Sequence, residues 1–398
     1  MKAADYGTHS KSVAAFVATN SICQGQQVAT LWPLIFGTGQ QIAFAHTSFK
    51  WGNLASHNAG VTVVIIGLSS HAGKTRLLFA IGNDGGVVVK EVENINAYLV
   101  SGKNVFVSPT DRVLGKMSKM DNGNKAVDGG HLLLDSAELD ELALNASQRS
   151  TLVRNFVGSS EAIRGQQRYC LWISDELKGY AMSIPAVKSR ILAVEEERKK
   201  STKKLTRDSA ERSHAFQQVR QRGDEVVIIV PRVSSENRAY LPTALVSSGT
   251  IVSDKCFAFY NAPLWNMAII ASRLHWVWIG AVCVRLEMRF SYSNTLGWNT
   301  FPVPPLTEKN KADLSRCAED ILLAREAHFP ATIADLYDAE QMPQKLREAH
   351  ELNDEVLERI YLGRRFRNDT ERLEKLFELY TKMISDGAAR TLSKERSV

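Results

Sequence analysis

The sequence predicts a chain that begins with an α/β sheet, continues as a mixed α+β region and ends in helices. Short apolar runs rich in β-branched residues occur at 13–19 and 61–68, and such runs are typical of buried strands. The middle of the chain alternates strand-like and helix-like segments. After the proline-rich segment 302–305 only helical patterns follow.

The first hundred residues predict the order strand, helix, strand, strand. Residues 24–37 indicate a helix that contains Pro33, and residues 41–46 indicate a strand before the apolar run at 61–68. Apolar runs of this kind favour a mostly parallel sheet. A sheet that starts this way lacks most of its strands, so we expect either a truncated chain or a partner chain that completes it.

Further strand and edge structure is expected between residues 76 and 98, which places the first domain boundary near residue 100. The middle region should contain helices at 136–157 and 183–200, the second opening after Pro185. Strand-like segments are expected at 226–231, 239–248 and 250–260, and one further helix is expected at 263–275.

The C-terminal region predicts three helices. Thr307 or Asn310 is suited to cap the first of them, because short polar side chains accept hydrogen bonds from the free amides of a helix start. Turn breaks are expected near Pro330 and Pro343. The spacing of apolar residues in the last part of the region fits a small helical bundle.

Composition narrows the class of protein. The 398 residues include 44% hydrophobic and 23% charged residues, enough to bury a sizeable core. A net charge of +6 suits a polyanion partner such as nucleic acid. The five cysteines lie far apart and imply neither a disulfide framework nor a zinc site, which indicates reduced cytosolic thiols. The longest apolar stretch, 267–284, is interrupted by Arg273 and His275, so no membrane segment is expected.

Several long phrases resemble the MmeI-like family of DNA methyltransferases and restriction-modification enzymes. They are TNSICQGQQ (19–27), FAHTSFKWGNLASHNAGVTVVIIG (44–67), FVGSSEAIRGQQRYCLWI (156–173), VPRVSSENRAYLP (230–242) and VRLEMRFSYSNTLGWNTFP (284–302). The resemblance implies three domains: the end of a Rossmann-like methyltransferase sheet (1–100), an α+β target-recognition domain (101–305) and a helical domain (306–398). Double-stranded DNA is the partner that it implies.

The sequence departs from this family where methyl transfer takes place. Family members bind S-adenosylmethionine at a Gly-rich turn after the first strand and hold a flipped adenine at an Asn-Pro-Pro-aromatic tetrapeptide. Neither motif occurs here, and the adjacent prolines Pro304 and Pro305 have no amide before them and no aromatic residue after them. We therefore assign no catalytic residue and expect this chain alone not to bind the methyl donor.

Two origins fit these departures. The complete enzyme would use S-adenosylmethionine, with the missing motifs supplied by a separate chain. Alternatively, the protein is a non-catalytic DNA-binding specificity module or an inert remnant. Met1 is consistent with a truncation, a split gene or a misplaced start.

Base reading is expected from Arg285, Glu287 and Arg289, which alternate with apolar residues. If this segment is one strand, the three charged side chains lie on one face and could enter the major groove. The resemblance supports this, because Glu287 and Arg289 are similar to the pair that reads bases in the family. A solvated, salt-bridged strand face is the alternative interpretation.

Other polar residues are candidates for DNA backbone contacts, since arginines and short polar side chains suit phosphate oxygens. These candidates are Arg232, Ser234, Ser235, Asn237, Arg238, Arg154, Arg164 and Arg168. For the residues between 232 and 238, the alternative is a surface turn without a partner. For Arg154, Arg164 and Arg168, the alternative is that one of them pairs with Glu161. Thr19 and Asn20 end a strand where α/β sheets place ligands, and we expect them near the catalytic cleft of a complete enzyme.

Two further patterns have ordinary explanations. The tryptophans at 265, 276, 278 and 298 are interspersed with aliphatic residues, which favours core positions over base stacking. The segment 67–75 resembles a P-loop with one residue too many, and the strand-like residues after it favour a hairpin connection over a nucleotide hydrolase.

Overall fold

The structure is a computed structural model that describes residues 1–10, 12–52, 61–82, 85–235, 237–286 and 289–395. The first hundred residues form a five-stranded sheet with two helices. Their bounds are α1 Lys2–Ser10, β1 Ala14–Thr19, α2 Gly25–Gly37, β2 Gln41–Lys50, β3 Thr62–Ser69, β4 Arg76–Ile81 and β5 Val87–Val92.

The order of this first sheet is β1-β3-β2-β4-β5. The expectation of a mostly parallel sheet is wrong for it, because β3 pairs antiparallel with both of its neighbours and β4 pairs antiparallel with β5. Among the described strands of this sheet, β2 and β4 are the one hydrogen-bonded pair that is parallel. The helix α2 does connect two parallel strands, β1 and β2, but β3 lies between them. Local sequence patterns cannot show such an insertion, since it depends on pairing between distant segments.

The strand β1 is an edge of this sheet. Phe16 is 42% exposed and Val17 is 54% exposed, although the strand carries no charged residue. The strand β4 follows the segment 67–75, as expected, and no helix starts there. However, β2 lies between β3 and β4, so the segment is not the connection of a hairpin.

The middle region combines three small sheets with short helices. Its elements up to residue 208 are β6 Asp121–Asn122, β7 Leu133–Leu134, α3 Ser136–Glu141, α4 Ala146–Leu152, β8 Val153–Val157, α5 Ser159–Arg164, β9 Tyr169–Leu171, α6 Lys178–Met182, α7 Pro185–Lys199 and α8 Lys204–Asp208. The remaining elements are β10 Val227–Pro231, β11 Val233–Ser234, β12 Ala244–Val246, β13 Thr250–Val252, β14 Cys256–Tyr260, α9 Trp265–Ile270, α10 Arg273–Val282, β15 Val284–Leu286 and β16 Arg289–Ser291.

The sheet orders are β13-β8-β9-β7, β12-β10-β14-β6 and β11-β16-β15. Two predicted helices are wrong in extent. Residues 136–157 form two capped helices and then strand β8, because Asp135 and Asn145 each start a new helix with a capping box. Residues 263–275 contain two helices, because Ser272 caps a second one through the amide of His275.

The C-terminal region is helical, with a short helix in addition to the three expected. Its bounds are α11 Glu308–Glu326, α12 Ile333–Leu336, α13 Gln344–Leu362 and α14 Asp369–Glu395. The predicted cap at Thr307 is confirmed: its hydroxyl accepts from the Asn310 amide while the Asn310 side chain accepts from the Thr307 amide.

One hydrophobic core joins the three regions. Trp278 of α10 is fully buried, and its ring centroid lies 5.3 Å from that of Phe377 in α14. Phe377 in turn stacks on Tyr98 at 4.8 Å. Burying a large aromatic side chain contributes roughly 1.5–3 kcal/mol, so these contacts couple the folding of the three regions. The four tryptophans expected in the core are all at most 7% exposed.

The five cysteines are buried and unbridged, and burial raises the pKa of each thiol. In the described part of the chain, no helix combines the length and the apolar character that a membrane crossing requires.

Candidate DNA-recognition surface

The predicted base-reading segment folds as a hairpin and not as one strand. β15 pairs antiparallel with β16, so that Arg285 lies opposite Phe290 and Leu286 lies opposite Arg289. Arg285 and Arg289 therefore belong to two neighbouring strands, which corrects the expected alternation along a single strand. Glu287 lies outside the described residues, as does the side chain of Arg285. Arg289 is exposed.

Contacts with α10 hold this hairpin in place. The Phe290 ring is 4% exposed and packs edge-on against Trp276 of α10, with centroids 4.5 Å apart. Two residues on, the Tyr292 hydroxyl lies 3.0 Å from Nε2 of His275. Burial lowers the pKa of His275 to about 3, so the imidazole is neutral. β16 is thus fixed to a helix as well as to both neighbouring strands.

The strand β11 lies beside β16, with Ser234 opposite Phe290. Two residues of the predicted phosphate-contacting segment are used within the protein. Arg232 donates from Nε to the Asp254 carbonyl at 2.7 Å, and its guanidinium lies 4.0 Å above the Phe257 ring. Ser234 is 3% exposed. These contacts help to position the segment, and the DNA backbone contacts of Arg232 and Ser234 stay predictions.

The end of this segment is more accessible. Asn237 is exposed, and its amide donates to the Ser235 hydroxyl at 3.3 Å. Arg238 is half-buried and donates from Nη1 to the Ser234 hydroxyl at 3.3 Å. Burial lowers the pKa of Arg238, which indicates a guanidinium partly removed from water.

The three arginines near residue 160 differ in their contacts. Arg154 donates from Nη1 to the carbonyls of Ser150 and Val153, at 2.8 and 2.7 Å. Arg168 lies 3.5 Å from Glu161, so an ion pair between Glu161 and one of these arginines is present, while 42% of the Arg168 side chain remains exposed. Arg164, in the last turn of α5, is exposed.

Comparisons with known proteins assign all three regions. Family models match residues 1–80 as the MmeI DNA-methyltransferase domain, residues 101–305 as the MmeI target-recognition domain and residues 306–386 as the MmeI C-terminal domain. The chain belongs to the MmeI family. This confirms the resemblance on which the sequence analysis relied, and the mixed architecture agrees with it.

Two relatives of this MmeI-family chain are informative. DNA methyltransferase A of Bacillus subtilis (strain 168) is 37% identical over 380 residues, which are 96% of this chain and 42% of the relative. The solved structure of the type IIL restriction-modification enzyme MmeI in complex with DNA is 34% identical, with a TM-score of 0.82 over 96% of this chain and 51% of that chain. The chain thus spans about half the length of these relatives or less.

In the methyltransferase-like region of this MmeI-family chain, β1 leads through a tight turn into α2. β1 is followed by residues 20–23 in a 3-10 turn and by Gly25, whose φ is +59°. A Cβ at Gly25 would lie 2.5 Å from Cγ2 of Val284, so this glycine allows the start of α2 to pack closely against β15.

Thr19 and Asn20 lie at this strand end, as expected. The hydroxyls of Thr19 and Ser21 are 2.9 Å apart. Asn20 is 7% exposed, and its amide nitrogen has no hydrogen-bond partner among the described residues. No group of three metal-binding side chains occurs in the described part of the chain.

A cleft of about 840 Å³ lies between the first sheet, α10 and the start of α14. Its charged lining residues are largely paired with one another. Lys90 lies 2.6 Å from Glu374, and Arg367 lies 3.1 Å from Glu371. This pairing leaves little net charge to attract an ionic ligand.

A smaller pocket of about 260 Å³ is lined by three arginines and one aspartate. Arg238 comes from the predicted segment, whereas Arg273 begins α10 and Arg347 lies in α13. Arg273 and Arg347 were not predicted as site residues, because they come together with Arg238 only through the packing of α10 and α13 in three dimensions.

Proposed function

We propose that this chain selects a short, asymmetric sequence in duplex DNA as the recognition part of an adenine-N6 methyltransferase. The complete enzyme would transfer a methyl group from S-adenosylmethionine to one adenine. The match of residues 101–305 to the MmeI target-recognition domain carries this proposal. The similarity to MmeI in complex with DNA supports it.

Base reading is assigned to the β15–β16 hairpin. An exposed arginine such as Arg289 can donate two hydrogen bonds to guanine O6 and N7, and a glutamate such as Glu287 can accept from cytosine N4. Arg285 completes the proposed set. The contacts of Phe290 below the hairpin support this role, because a rigid element places such side chains with the accuracy that base discrimination needs.

Backbone contacts are assigned to exposed and half-buried polar residues on either side. We propose Ser235, Asn237 and Arg238 in one segment and Arg164 and Arg168 in the other. Phosphate contacts of this kind fix the register of a protein on DNA without selecting a sequence.

Methyl transfer would need residues that the given sequence lacks. The donor pocket and the Asn-Pro-Pro-aromatic motif would come from a separate chain or from a longer form of this protein, and Thr19 and Asn20 would line the cleft from this side. The domain boundaries that we propose are 1–100, 101–305 and 306–398.

The first experiment is selection from a pool of randomised duplex DNA, followed by sequencing of the bound molecules. Enrichment of a short asymmetric motif supports the proposal. Folded protein that enriches no motif overturns it and favours the inert remnant. Adding S-adenosylmethionine to the chain alone should leave the selected duplex unmethylated, and methylation would refute the proposed need for a second source of the donor pocket.

A pair of variants tests the base-reading residue. Arg289→Ala should relax the preference at one base pair, at a cost of about 1–3 kcal/mol for the preferred base. Arg316→Ala is the matched control, because Arg316 is also exposed but lies on α11. If Arg289→Ala keeps the full motif and weakens all sequences as the control does, the assignment of Arg289 is wrong.

A further inference from the structure

The pocket lined by Arg238, Arg273 and Arg347 is called the arginine pocket here. It lies where residues 232–238, the recognition segment, contact the C-terminal helices. Its lining includes Asn237 and Arg238 from the recognition segment, and Asp338 and Arg347 from the C-terminal region. Arg273, at the start of α10, completes the basic lining. The pocket therefore collects positive charge from three separate parts of the chain.

The three arginines are not equally neutralised. Arg273 donates to the Asp369 carboxylate and, from Nη1, to the Ala239 carbonyl at 3.1 Å. In contrast, no described carboxylate forms an ion pair with Arg238 or Arg347. Asp338 lines the same pocket and partly offsets the charge of Arg238 from a longer distance.

Arg238 and Arg347 are half-buried residues, and the hydrogen bond from Arg238 to the Ser234 hydroxyl compensates only partly for the hydration that they lose. An anion between them would restore that compensation. Phosphate oxygens suit the planar guanidinium fork, which can donate two parallel hydrogen bonds. The residue types and the burial therefore point to a phosphate group as the ligand.

The pocket is also within reach of DNA bound at the β15–β16 hairpin. Ser234 pairs with Phe290, the neighbour of Arg289, and Arg238 follows Ser234 by four residues. Four residues span at most about 14 Å, and the major groove is about 12 Å wide. A base-reading residue at Arg289 and a phosphate contact at Arg238 are thus compatible with one duplex.

We propose that Arg238 and Arg347 together hold one phosphate of the bound duplex, so that the C-terminal helical region contributes directly to DNA binding. This inference rests on the proposed function. It assigns Arg347, a residue outside the matched recognition domain, to the DNA interface.

The test measures how the affinity for the selected duplex depends on salt. Arg347→Gln keeps most of the side chain but removes the charge, and it should lower the slope of log affinity against log salt by about 0.9. Affinity at moderate salt should fall about tenfold for every sequence. Lys345→Gln is the control, because it removes the same charge from an exposed position of the same helix outside the pocket.

Arg238→Gln provides an independent variant on the recognition side. If both arginines hold one phosphate, the double variant should lose little more affinity than either single variant. Equal slopes for wild type, Arg347→Gln and Arg238→Gln would overturn the inference while leaving the proposed function intact. A slope reduction that Lys345→Gln reproduces would overturn it as well.

The remaining outcomes separate the ligand sources. Suppose inorganic phosphate stabilises wild type but not Arg347→Gln against heat, while the DNA slopes are unchanged. The pocket would then bind free phosphate, and the DNA assignment would be wrong. Failure of the folded wild-type protein to enrich any duplex would instead reject the proposed function itself.

Discussion

Asp354 provides a test of the contact between the C-terminal helices and the rest of the chain. This residue of α13 is 9% exposed. Its Oδ2 accepts from the Tyr240 hydroxyl at 3.0 Å, and its Oδ1 accepts from the Arg273 amide at 2.7 Å. Burial raises the pKa of Asp354 to about 7, with Glu358 adding to the effect, although both hydrogen bonds act to lower it.

The sign of the resulting pH dependence follows from proton binding. Between about pH 4 and pH 7 the folded chain holds a proton on Asp354 that the unfolded chain releases. The free energy of unfolding therefore falls as pH rises, by about 1.4 kcal/mol per pH unit. The whole window amounts to about 4 kcal/mol, and the contribution is fully lost above about pH 7.

Asp354→Asn removes this titration but keeps an oxygen that accepts from the Arg273 amide. We expect the unfolding free energy of the variant, relative to wild type, to rise with pH and to level off above about pH 7. Urea unfolding followed by tryptophan fluorescence at several pH values measures this difference. A difference that stays constant between about pH 5 and pH 8 would refute the reasoning.

Tyr240→Phe is a useful companion variant. The Tyr240 hydroxyl lowers the pKa of Asp354 by donating to the carboxylate. Its removal should raise the pKa of Asp354 in the folded chain and so extend the upper end of the pH window, while the lower end, set by the unfolded chain, stays in place. An unchanged upper end would argue against this hydrogen bond.

Three further predictions concern stability and thiol reactivity. Gly123→Ala should destabilise the chain, because a Cβ would lie 2.0 Å from the Ser253 carbonyl oxygen; Gly179→Ala, with open space and a helical position, should be neutral or stabilising by about 0.5–1 kcal/mol in thermal unfolding. Glu358→Ala should cost about 3–5 kcal/mol, since Glu358 is 1% exposed and accepts from Nε of Arg372 at 2.7 Å; a urea midpoint equal to wild type would contradict this. Iodoacetamide should modify the five buried cysteines only after denaturation, and rapid labelling of native protein would show that the burial is wrong.

Local signals allowed part of the fold to be predicted. Pro185 at the first turn of α7 and the side-chain cap at Thr307 act on neighbouring amides, so the sequence alone identified both helix starts. The predicted direction of strand pairing in the first sheet was wrong, because β3, which follows β2 in the sequence, lies between β1 and β2 in the sheet. β8 was assigned to a helix, since its apolar residues fit either period over so short a length.

The candidate site shows the same division. Alternating charge over residues 284–290 predicted a single strand, whereas β15 and β16 form a hairpin with Leu286 opposite Arg289. The alternating pattern is compatible with a single strand and with a hairpin. The contact between Phe290 and Trp276, which accompanies the hairpin, is visible only in the structure. Arg347 was missed because its relation to Arg238 arises from the packing of two regions.

The core shared by Tyr98, Trp278 and Phe377 bears on how a new specificity could arise in such a protein. A recognition region transplanted as a unit would bring Trp278 into a foreign surrounding and would have to match the aromatic residues that pack against it from both sides. Substitutions confined to the exposed hairpin leave that core untouched. If the hairpin reads bases as proposed, specificity is therefore more easily changed by a few residues there than by exchange of the whole region.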